Sequence, residues 1–89
     1  MMVMEYEVFP QRWGYRQIIT SPIKGIVESI MVESGEKIQG QQILAMIREE
    51  QGNVKQILTG VDGVVEALDV KVGDKVVRGD VVLFIKEDL

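Results

Sequence analysis

The chain has 89 residues, with ten Lys or Arg set against fourteen Asp or Glu for a net charge of −4, and it contains neither cysteine nor histidine. This length holds one core, because two cores would leave each too little buried area to offset its own ordering entropy. An acidic balance without clustered cations excludes a binder of nucleic-acid phosphate backbones. Missing imidazole and thiol remove the usual general base, the thiol nucleophile and the soft-metal ligands, so no enzyme is expected.

Residues 1–14 read as an N-terminal arm or extra strand. Tyr6, Phe9, Trp13 and Tyr15 supply four of the five aromatics, interleaved with Arg12 and Arg16. One reading has this stretch covering an open sheet edge, with Pro10 and Gly14 turning the chain. The other makes Tyr6, Phe9, Arg12, Trp13 and Tyr15 a partner surface, since Trp, Tyr and Arg tend to anchor interfaces. Met1 to Glu5 show neither a positive n-region nor a long apolar stretch, and no segment approaches the roughly 18 apolar residues of a membrane span. A cytoplasmic protein is expected.

Along the chain Val and Ile dominate the apolar positions; β-branched side chains are stiff at χ1 and sit better on a pleated surface than in a helix. Glycines beside polar residues, as in Ser34-Gly35, Val61-Asp62-Gly63 and Gly73-Asp74, punctuate short apolar runs as turns do. Strands are predicted over 16–20, 25–32, 43–48, 54–59, 63–70 and 81–86, with short extended pieces near Ile38 and Val76.

Sliding the chain along itself until Gly25 lies over Gly63 sets Gly25-Ile26-Val27-Glu28-Ser29-Ile30-Met31-Val32 over Gly63-Val64-Val65-Glu66-Ala67-Leu68-Asp69-Val70, and Gly35-Glu36-Lys37-Ile38 over Gly73-Asp74-Lys75-Val76. The match resumes at Ile43 to Ile47 over Val81 to Ile85, giving repeat halves of about 19–47 and 57–85. Two copies are too few for a solenoid, so they must close on each other. In each copy the alternation of apolar residues slips once, at Glu28-Ser29 and at Glu66-Ala67, which predicts a bulge or bend. Bends at equivalent points fold two pseudo-symmetric antiparallel sheets over a core closed by Ile38, Leu44, Ile47, Ile57, Val76, Val82 and Ile85. The predicted fold is all-β, a flattened β-barrel or sandwich.

Ser21-Pro22-Ile23-Lys24-Gly25 with Gly35-Glu36-Lys37-Ile38, and then Val61-Asp62-Gly63-Val64-Val65 with Gly73-Asp74-Lys75-Val76, Gly79, Val82 and Ile85, resemble the biotinyl/lipoyl carrier-domain family. The resemblance runs over about residues 16–86, implies a barrel-sandwich hybrid, and assigns 15–89 to a biotinyl/lipoyl-like domain. One departure is Gly40, which falls a place early against Gly79.

In that family the halves meet in a hairpin whose tip lysine is acylated by biotin or lipoate. Counting forward from Gly35 places this slot at Gln51, and counting back from Asp62 places it at Gly52, a hairpin about one residue longer than usual. Neither is a lysine, and Gly52-Asn53 is good turn chemistry. Lys55 is the nearest amine, expected to point outward from the return strand, with Val54 and Ile57 in the core.

Asp62, Asp69, Asp74, Asp80 and Glu36 lack the spacing of a calcium loop, so no metal is expected. Gly73-Asp74 and Arg78-Gly79-Asp80 lead into no helix N-terminus and read as turns. The resemblance without its lysine implies a non-catalytic protein-binding or assembly module that carries no cofactor, with an unidentified protein partner. Self-association through an unpaired strand edge is a further expectation. The alternatives are a biotin or lipoyl carrier of a carboxylase or dehydrogenase complex modified at a non-standard lysine such as Lys55, and an adaptor-like domain of membrane-fusion type.

Overall fold

The computed structural model describes residues 16–88. Among them are eight strands and no helix: β1 (Arg16–Thr20), β2 (Gly25–Ile30), β3 (Lys37–Ile38), β4 (Ile43–Arg48), β5 (Val54–Leu58), β6 (Gly63–Leu68), β7 (Lys75–Val76) and β8 (Val81–Glu87). They form two antiparallel four-stranded sheets, in the orders β1-β8-β6-β3 and β5-β4-β2-β7. Replacing each strand by the one four places along the chain turns the first order into the second.

Positions equivalent under the repeat do the same work in the two sheets. Pairing of β2 with β4 shifts register between Val27 and Ser29, and pairing of β6 with β8 shifts between Val65 and Ala67. These are the two points where the apolar alternation slips. Each bulge keeps one valine inward, and Val27 and Val65 are both wholly buried, as are Ile47 and Ile85, which face them in register. Ile38, Leu44, Ile57, Val76 and Val82 complete the predicted core, and Ala45 and Leu83 join it.

β2 and β6 end at Ile30 and Leu68, two residues short of the predicted ends. The chain leaves the ladder there to build a turn, in which the Glu33 and Lys71 amides donate to Glu36 Oε1 and Asp74 Oδ2, each at 3.0 Å. Val32 is nonetheless buried, and Val70 packs against the core from outside the strand.

Gly25 and Gly63 are required by close strand approach. A Cβ at Gly25 would collide with the Arg48 carbonyl and sit 2.9 Å from Ile47 Cγ2; at Gly63 it would collide with the Lys86 carbonyl and sit 3.0 Å from Ile85 Cγ2. The departure at Gly40 also has a physical account. The left-handed position equivalent to Gly79 (φ +94°) is Gln41 (φ +73°), and both amides donate 2.8 Å bonds to equivalent carbonyls, those of Ser21 and Thr59. Gly40 serves a different need: its amide donates to Asp62 Oδ1 at 2.7 Å, and a Cβ there would lie 3.1 Å from the Gly60 carbonyl oxygen.

Candidate functional site

The end of the molecule reached by the β4–β5 hairpin is assembled from three segments: residues 22–26 leading into β2, residues 48–51 at the hairpin, and residues 75–78 of β7 and the turn after it. They are neighbours because Ile26 stands opposite Arg48 on one side and opposite Lys75 on the other. At the hairpin itself the Gly52 amide donates to the Glu49 carbonyl at 2.9 Å and the Glu49 amide to the Asn53 carbonyl at 2.7 Å. Glu50 and Gln51 are therefore the central turn residues, and Gly52 follows in the left-handed conformation with φ +99°. This is a three-residue loop of type I turn plus glycine bulge, its central residues two places earlier than in a turn centred on Gly52-Asn53.

That shift settles which face each β5 residue takes. Arg48 pairs with Val54, and Ile47 with Lys55. Val54 thus falls on the outer face, 41 % exposed, and only Ile57 of the two predicted core residues is buried. Lys55 stands opposite the buried Ile47, on the strand face of Ile57, and its side chain is exposed. From Glu49 to Asn53 the hairpin holds no lysine. Gln51 and Gly52 are both exposed.

The three segments surround a cleft of about 820 Å³. Among the described residues four cations line it, Lys24, Arg48, Lys75 and Arg78, together with the carboxylates Glu49 and Glu50. Arg48 Nε donates to Glu28 Oε1 at 3.0 Å. Lys24, Lys75 and Arg78 have no ion pair among the described residues. None of the four was singled out as a site residue in the sequence, where they are scattered. A charge comparison of the two halves would have found two of them, since Lys24 and Arg78 align with Asp62 and Gly40, whereas Arg48 and Lys75 align with Lys86 and Lys37.

The far end of β4 carries the equivalent positions: Lys37, Gly40, Asp62, Lys86, Glu87 and Asp88, or two cations against three carboxylates. On the outer face near this end, Arg16 Nε donates to Glu66 Oε1 at 2.7 Å, and the guanidinium lies 5.8 Å from the Phe84 ring centroid. The hydrogen bond from Arg16 holds the Glu66 carboxyl below the usual carboxylate range and raises the Arg16 guanidinium in turn.

Among the described residues no group of three or more acids or other donors is placed to hold a metal ion, and no helix is long and apolar enough to cross a membrane. Tyr6, Phe9, Arg12, Trp13 and Tyr15 lie outside the described residues.

Two four-stranded antiparallel sheets joined at a tight hairpin make a flattened barrel-sandwich, the fold of lipoyl domains. The fold superposes on the lipoyl domain of the 2-oxoglutarate dehydrogenase complex from Azotobacter vinelandii with a TM-score of 0.70, at 22% identity over 81% of this chain and 98% of that one. A single-chain, multi-domain long-chain acyl-CoA carboxylase matches with a TM-score of 0.76, at 15% identity over 96% of this chain. A succinylglutamate desuccinylase/aspartoacylase from Rhodobacter sphaeroides matches with a TM-score of 0.64, at 22% identity over 81% of this chain. The chain spans only 8% of the carboxylase and 22% of the desuccinylase. No curated protein matches it in sequence. The chain belongs to the family described as an uncharacterized protein conserved in archaea (DUF2118), whose model matches residues 14–85.

Proposed function

We propose that this domain is a non-catalytic member of the biotinyl/lipoyl fold that has lost the attachment lysine and acts as a protein-binding or assembly module. The observation that carries the reading is the hairpin tip, where Glu49-Glu50-Gln51-Gly52-Asn53 offers no amine to an acyl-adenylate. The turn is a complete hydrogen-bonded unit with glycine in its left-handed position, so the tip is rebuilt rather than altered at a single residue. The fold does not oblige a carrier role, since it also occurs within a chain named for desuccinylase or aspartoacylase activity.

A carrier modified at Lys55 is the second reading. It is favoured by one observation, that this amine is exposed and lies close to the tip in β5. Co-expression of the full chain with a biotin ligase or a lipoate ligase, followed by intact mass measurement, separates the two. An unmodified mass is the expected result. A mass gain matching either cofactor overturns the proposal, and peptide mapping of that gain to Lys55 establishes the second reading.

A further inference from the structure

The cleft beside the hairpin is cationic in an acidic protein: four cations against two carboxylates line it, while the chain as a whole carries −4. Three of the four cations have no ion pair among the described residues. Between them Ile23, Ile26 and Val77 provide apolar surface, and Val77 is 51 % exposed. We propose that this cleft binds an extended acidic segment of a partner protein, its carboxylates meeting the cationic rim and its apolar side chains meeting Ile23, Ile26 and Val77. This rests on reading the domain as a protein-binding module.

A compact phosphate group would need converging backbone donors, and three amides at or beside the cleft are already engaged. The Val77 amide donates to Asp80 Oδ2 at 2.8 Å, the Gly79 amide to the Ser21 carbonyl at 2.8 Å, and the Gly52 amide to the Glu49 carbonyl at 2.9 Å. The cations stand on three separate segments, an arrangement that a chain can span. Opposite charge at such a rim steers association and makes binding sensitive to salt.

The test is a titration of the isotopically labelled full chain with a synthetic glutamate-rich peptide containing interspersed leucines, read by backbone amide shifts. Shifts confined to residues 22–26, 48–51 and 75–78, and weakened by added salt, are expected. The double variant K24E/K75E should weaken binding about tenfold, whereas K37E/K86E, which reverses two lysines at the far end, should leave it unchanged. Absence of localised shifts, or equal losses in both variants, overturns the proposal. Tripolyphosphate binding at the same residues more tightly than the peptide overturns it in favour of a compact anion. Shifts at those residues that appear on concentrating the protein alone overturn it in favour of a second copy. Because the mass measurement reports on the tip and the titration on the cleft, failure of one is distinguishable from failure of the other.

Discussion

The hairpin end and the far end of β4 are made from equivalent strands and closely matching backbone hydrogen bonds, yet their exposed residues carry opposite charge. Gly25 and Gly63 occupy equally tight places, and Gly35 and Gly73 take the same left-handed turn at φ +90° and +96°. Lys24 and Asp62, by contrast, differ in sign at the same position. The difference separates two kinds of constraint. Where the backbone has no room for a Cβ, both ends keep glycine; where a side chain has room at the surface, each end takes its own charge, and Asp62 uses its carboxylate to accept from the Gly40 amide.

The largest expected effect tests whether the two ends are equally constrained. Gly25→Ala and Gly63→Ala each force a Cβ into a strand carbonyl and a buried isoleucine, and each should lower stability by about 2–3 kcal/mol. Urea unfolding of the two variants checks this, and a loss confined to one would break the equivalence. A smaller effect concerns the unmatched left-handed residue. Gln41→Gly should relieve a conformation that L-residues avoid and raise stability by roughly 0.5–1 kcal/mol, while Gly79→Ala at the equivalent place should lower it by about 1 kcal/mol. Opposite shifts in denaturation midpoint would sharpen the comparison, and a neutral Gln41→Gly would show that its strain is already offset.

The smallest effect is electrostatic. The Glu66 carboxyl is held low by its hydrogen bond from Arg16. A carboxylate depressed in the folded state contributes stability above its unfolded pKa and loses that contribution as pH falls through its folded pKa. Glu66→Gln should therefore lower stability slightly at neutral pH, leave it unchanged below the folded pKa of Glu66, and so flatten the acid limb of the stability curve. Thermal melts across the acid range check this, and an undiminished acid limb would remove Glu66 from its causes.

The strands and bulges were legible because a slip in period-two alternation at Glu28-Ser29 recurs at the equivalent place in the second half, Glu66-Ala67, and only a bulge keeps both valines inward. The faces of β5 were not legible. Strand parity after a hairpin depends on which residues make the turn, and a two-residue turn at Gly52-Asn53, in place of the three-residue loop over Glu50-Gln51-Gly52, puts Val54 in the core. The cleft was hidden for a different reason: Lys24, Arg48, Lys75 and Arg78 become neighbours only through pairings that join distant segments. The missing tip lysine, in contrast, needed only a count along the chain.

The strand order has a further consequence for how the chain reaches this structure. Each sheet takes two strands from β1–β4 and two from β5–β8, and the pairings β1 with β8, β2 with β7 and β3 with β6 all run between the halves. Neither half can therefore complete a sheet alone, however alike the two sequences are. Such interlocked, non-local pairing requires long loops to close before contacts reward them, which places folding on the slow side for a chain of this size and makes it a single cooperative event. An ancestral duplication that began as two separable copies would thus have ended as one indivisible folding unit.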